Sequence, residues 1–113
     1  GIGGQIDIHL VPTFSAANQP DPLVVCPSPN AQMQVLASGG GSMAYQWRVG
    51  TTNLTNVTGA GGLAGATTRT ITFTSPIPVA RSATDYNVSA TNTCGTVISN
   101  NAELFVLNTS YTL

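Results

Sequence analysis

Residues 85–95 read Asp-Tyr-Asn-Val-Ser-Ala-Thr-Asn-Thr-Cys-Gly, and this stretch decides the fold class. From Asp85 to Thr91, Tyr86, Val88 and Ala90 alternate with Asn87, Ser89 and Thr91. A period of two is the mark of a strand with one buried face. Asn92-Thr93-Cys94-Gly95 is a cluster of turn formers, and Thr96 to Leu107 reads as a long final strand, bent or bulged near Asn100-Asn101. Two strands about a tight turn form a hairpin.

Moving outward from this hairpin, the same grammar repeats. Arg69 to Thr74 is a strand with Ile71 and Phe73 inward, broken by Pro76-Ile77-Pro78. Thr51 to Thr68 is a long Gly/Thr/Asn stretch with one weak strand around Leu54. Met43 to Val49 places Tyr45, Trp47 and Val49 on one face, and Ala31 to Ala37 does so with Met33, Val35 and Ala37. Leu23 to Cys26 is a short strand closed by Pro27 and Pro29. Ser15 to Pro22 is a polar, proline-containing linker. Ahead of it, Ile6, Ile8 and Leu10 alternate with Gln5, Asp7 and His9, and Pro12 confines that strand to an edge or an end. No apolar pattern of period 3.6 survives more than a turn. Short strands separated by Gly, Pro, Asn and Ser clusters predict an all-β sandwich or barrel.

The chain has 113 residues, one domain's worth. Charged residues make up 6% of it, against a typical share of about 25%, and there is no lysine. Thr, Ser, Asn, Gln and Gly must therefore make most of the surface. A net charge of −1 gives little field to attract nucleic acid or an anionic membrane, so neither is expected as a partner. No apolar run is long enough to span a bilayer, so no membrane insertion is expected. A surface so weakly charged suits either a secreted protein kept soluble by hydroxyls and amides or one packed against its own copies. Cys26 and Cys94 are too few for structural zinc, and His9 does not complete a set. As an even pair they predict one disulfide and an oxidising, extracellular compartment. Gly1 in place of Met suggests a signal peptide removed on secretion.

From Leu23 to Leu107 the chain resembles the immunoglobulin-like domains found as modules in large secreted and surface proteins of bacteria. The resemblance rests on Val25-Cys26, on Tyr45-Gln46-Trp47, and above all on the run from Tyr86 to Gly95 followed by Val97 and Ser99-Asn100. It implies an immunoglobulin-like β-sandwich of roughly seven to nine strands with an additional N-terminal strand. Residues 1–22 are then an extension strand and linker, and residues 23–113 the domain. The buried core implied is Val35, Trp47, Ile71, Phe73, Tyr86 and Val88. Val35 and Val88 occupy, by spacing from Trp47 and Tyr86, the positions of the usual inter-sheet disulfide. Tyr86 takes the tyrosine-corner position, although Ser82 and Thr84 stand where the family has Asp and Gly. The topology then implies Cys26 on the first strand beside the turn that opens the last one, where Cys94 sits. Such a bridge closes a loop of about 68 residues, worth about 4 kcal/mol.

Catalytic chemistry finds little material. His9 has Asp7 two residues away but no nucleophile-elbow motif, and the four acids form no evident pair for glycoside chemistry or calcium. No enzyme, metal or cofactor is expected. The run Gly59 to Gly65 lacks the lysine of a phosphate loop and reads as a turn. Candidate glycosylation sites are Asn53, Asn56, Asn87 and Asn108, with Asn87 expected to face outward.

The N-terminal strand is what the family core does not explain. It packs on its own sandwich, or it adds a strand to a neighbouring copy as in donor-strand complementation. The second option, with the uncharged surface, predicts a homopolymeric structural subunit of an extracellular filament, pilus or sheath, with Ile6, Ile8 and Leu10 as the assembly strand. The alternative is a carbohydrate- or protein-binding module of a surface adhesin or secreted enzyme, with a glycan or surface partner. Against it, Tyr45, Tyr111, Phe14 and Phe105 are thin material for sugar stacking.

Overall fold

A computed structural model describes residues 11–107. Eleven short strands appear among them, with 3-10 turns at Ala16–Asn18 and Val79–Arg81 and no α-helix. The strands are β1 (Thr13–Phe14), β2 (Leu23–Val25), β3 (Ala31–Gln34), β4 (Ala37–Ser38), β5 (Ala44–Val49) and β6 (Thr52–Asn53). There follow β7 (Leu63–Ala64), β8 (Thr70–Phe73), β9 (Ala83–Asn92), β10 (Gly95–Ile98) and β11 (Ala102–Val106).

The larger sheet runs β2-β11-β9-β5-β6, with β10 also on β9; the smaller runs β3-β8-β7, and β1 pairs with β4 separately. β9 is the organising strand. It pairs with β5 from Ala44↔Thr91 to Val49↔Tyr86, so Trp47 lies opposite Val88. It pairs with β10 through the turn at Thr93-Cys94, and with β11 through Ala102↔Tyr86 and Leu104↔Ala83. The final strand is broken between β10 and β11. There the Ser99 hydroxyl accepts from the Val88 N–H, while the Ser99 N–H donates to the Val88 carbonyl. One residue takes both backbone partners of Val88, and the ladder shifts register beyond it.

The two sheets enclose one core, and the arrangement is an immunoglobulin-like β-sandwich. Trp47, Ile71, Phe73, Val88, Leu104 and Val106 are fully buried, with Val35 and Tyr86 beside them. The Trp47 indole N–H donates to the Thr68 carbonyl at 2.8 Å, which satisfies the one polar atom the ring brings into the core. The Phe73 and Tyr86 rings meet edge to face, 5.5 Å between centroids. Each large apolar side chain removed from water contributes about 1.5–3 kcal/mol, so this cluster is the main source of stability.

The fold begins ahead of Leu23. Pro12 is buried, Phe14 packs against the core, and β1 pairs with β4. Between Asn18 and Leu23 the chain changes sheets. Pro20 and Pro22 supply no N–H for a ladder there, and β2 resumes in parallel pairing with β11. The stretch 51–68 holds β6 and β7 and is tied down rather than loose. Val57 and Leu63 exchange hydrogen bonds, Leu63 and Ala66 are buried, and Gln46 donates to the carbonyls of Trp47 and Leu54.

Candidate functional site

The strand directions give the sandwich two distinct poles. β3 rises from Ala31 towards β4, β9 rises from Ala83 to Asn92, and β2 and β11 descend together. The upper pole therefore holds the Gly39 to Gly41 turn and the Thr93-Cys94 turn, which Asn92 links through a hydrogen bond to the Gly40 carbonyl. The first described residue, Val11, is also there: a Cβ on Gly95 would lie 3.7 Å from its Cγ1. The lower pole holds Cys26, the start of β3, the 3-10 turn at Val79–Arg81 and Leu107, whose N–H donates to the Val25 carbonyl.

This polarity corrects the expected disulfide. Cys26 closes β2 rather than opening it, and Val25 lies beside Val106 at the lower pole. Cys94 lies beyond the far end of β9, whose ten residues cover about 30 Å. A disulfide needs Cα atoms within about 7 Å, so Cys26 and Cys94 are not joined; both are exposed.

Tyr86 anchors the lower pole. Its hydroxyl donates to the Arg81 carbonyl, five residues upstream. Burial pushes its pKa above 10.0; the Arg81 guanidinium opposes that shift and the Asp85 carboxylate adds to it. The corner closes without Asp and Gly at positions 82 and 84, because the Val79–Arg81 turn itself presents the carbonyl.

Of the sequons, Asn53 and Asn56 are exposed. Asn87 is not, which corrects its reading as a glycosylation site: it is 3% exposed. It does point away from the core, opposite to Tyr86 and Val88, but Arg48 and the Gly50 turn cover it. Its Oδ1 accepts from Arg48 Nε at 2.8 Å and its Nδ2 donates to the Gly50 and Asp85 carbonyls. Ile6, Ile8, Leu10, His9, Asp7 and Asn108 lie outside the described residues. Among the described residues no three His, Cys, Asp or Glu side chains gather into a metal site.

A concave site lies at the lower pole. A groove of about 390 Å³ opens between β2 and β3, with Leu23, Val25 and Ala31 as its floor and Cys26, Ser28 and Gln32 on its rim. It exists because the chain abandons the β3 side at Pro20. Among the described residues β3 pairs only with β8, and its other edge is uncovered. The three floor residues are half-buried, so the groove is apolar below and polar above. Sequence reading placed Leu23 and Val25 on a short strand but did not reveal this groove, since half-burial and full burial leave the same alternation.

The comparisons agree with this class of fold. No family model and no curated protein sequence matches the chain. Among solved structures, a chimeric titin tandem superposes with TM-score 0.69 at 23% identity, over 92% of this chain and 53% of that one. A chain of a titin–obscurin-like 1 Ig complex gives TM-score 0.69 at 21% identity, over 88% of this chain and 95% of that one. Extracellular domains 3–5 of Drosophila OTK give 0.72 at 19% identity, over 88% of this chain and 33% of that one. The chain thus spans about half of the titin tandem and a third of the OTK fragment. Identities this low establish the immunoglobulin-like fold and nothing further.

Proposed function

We propose that this domain is a non-enzymatic structural module of an extracellular assembly, which joins copies of itself end to end by donating its N-terminal strand. The observation that carries the proposal is polarity. The described chain enters the sandwich at the upper pole, beside Gly95, directly after a segment in which Ile6, Ile8 and Leu10 alternate with polar residues. A segment whose sequence alternates apolar and polar residues suits addition to a neighbour's sheet. A head-to-tail contact of this kind does not close on itself, so it propagates as a filament. The low charge removes most of the repulsion between copies. A secreted location accords with the hydroxyl- and amide-rich surface.

A ligand-binding role draws less support from the surface. Phe105, at 46% exposure, is an exposed aromatic on the larger sheet, whereas Tyr45 is half-buried with its hydroxyl accepting from the Ala37 N–H. Light scattering on the full chain and on a chain lacking residues 1–10, which keeps every described residue, tests the proposal. The full chain is expected to polymerise and the shortened chain to remain a monomer. A full chain that stays monomeric, or a shortened chain that polymerises equally well, refutes it.

A further inference from the structure

We infer that the groove between β2 and β3 is the acceptor site for that strand: residues 5–10 of a second copy lie along the open edge of β3 and place Ile6, Ile8 and Leu10 over Leu23, Val25 and Ala31. This assignment rests on the strand-donation reading above and gives it a location.

Three observations support it. The first is an unsatisfied edge. β3 presents backbone donors and acceptors with no strand beside them among the described residues, which is the template that strand addition uses. The second is fit. Ile6 to Leu10 spans about 13 Å as a strand, close to the length of β3, and alternate side chains would enter an apolar groove of about 390 Å³. Gln5, Asp7 and His9, on the opposite face of the donor, would then face solvent.

The third observation is reach, which decides between the chain's own segment and a neighbour's. Phe14 lies opposite Ala37, six residues above Ala31, and Val11 lies three residues beyond Phe14. Val11 is therefore roughly 30 Å from the groove. A chain spans at most about 3.6 Å per residue, so Ile6 lies no more than about 18 Å from Val11, and Ile8 and Leu10 lie nearer still. None of the three reaches the groove of its own domain. The donor must come from another copy, whose upper pole then sits under this one's lower pole.

The test uses full-length chains and light scattering. Ile8→Asp disables the donor. Val25→Arg disables the groove floor, and Gln32→Trp crowds the rim from an exposed position that leaves the core intact. A cooperative thermal transition followed by far-UV circular dichroism verifies folding of each. The expectation is a polymer for the unmodified chain and a monomer for every variant. An equimolar mixture of Ile8→Asp with either groove variant should give particles of twice the 11.5 kDa chain mass and nothing longer, because one partner brings only an acceptor and the other only a donor. If Ile8→Asp is monomeric while both groove variants polymerise normally, the groove assignment fails and strand donation survives. That result also follows if residues 108–113, which leave Leu107 at the same pole, fill the groove. If Ile8→Asp polymerises, or the unmodified chain does not, strand donation fails and the groove assignment with it. Mixtures that stay monomeric overturn the groove assignment alone.

Discussion

Replacing Tyr86 by Phe removes one oxygen from the lower pole and leaves the ring in its edge-to-face contact with Phe73. What is lost is the hydrogen bond to the Arg81 carbonyl, which then faces a buried site without a donor. A net hydrogen bond is worth about 1 kcal/mol and an unsatisfied buried partner raises the cost, so Tyr86→Phe should destabilise the domain by about 1–2 kcal/mol. For a domain of this size that lowers Tm by roughly 5–15 °C. Urea unfolding followed by the fluorescence of buried Trp47 reads the change directly. The same bond carries a pH signature. Burial raises the pKa of Tyr86, so the folded state favours the protonated phenol. Its stabilising share is complete below the unfolded value of about 10 and is lost as pH rises through the higher folded value. Above about pH 10 the advantage of the unmodified chain over Tyr86→Phe should therefore shrink. A variant as stable as the parent at pH 7, or a difference that stays constant through pH 11, refutes this reasoning.

Other consequences follow from the same geometry. Because Cys26 and Cys94 stand at opposite poles, a reducing agent should leave Tm unchanged, where a bridge across that loop would lose about 4 kcal/mol. Asn87→Ala strips the partner from Arg48 Nε and from two backbone carbonyls, and should cost about 2–3 kcal/mol in denaturant titration. Gly65 has a φ of +79°, and a Cβ there would come within 2.1 Å of the Thr70 carbonyl oxygen. Gly65→Ala should thus cost at least about 2 kcal/mol, while Ala60→Gly, on the exposed part of the same stretch, should change stability by less than about 1 kcal/mol.

The strands that build the core were legible in the sequence because each buries one face. Ile71 and Phe73, Trp47 and Val49, and Tyr86 and Val88 mark their strands by alternation alone. The break in the last strand was legible as well, at the Asn100-Asn101 pair next to Ser99. What alternation does not encode is the end of the sandwich at which a residue lies. Cys26 follows β2, and β2 runs beside β11, the far part of the broken final strand, so Cys26 stands at the pole opposite the turn that carries Cys94. Nor does outward direction ensure exposure. Asn87 alternates with buried neighbours and is buried too, because Arg48 on β5 lies over it. The groove was hidden for a related reason: it is a consequence of the sheet change between Asn18 and Leu23, and only the pairing of β2 with β11 reveals what that change leaves uncovered.

Disulfide trapping tests strand donation into the groove most directly, since Cys26 already stands on the groove's rim. In a Cys94→Ser background, Ile6→Cys, Ile8→Cys and Leu10→Cys each place one thiol on the donor and keep one at the acceptor. Mild oxidation should convert at least one of these chains into a ladder of trimers and longer species on a non-reducing gel. Mass spectrometry should identify the linkage as donor thiol to Cys26. Chains that stay monomeric in all three variants, or that stop at dimers joined through Cys26 alone, would contradict the account.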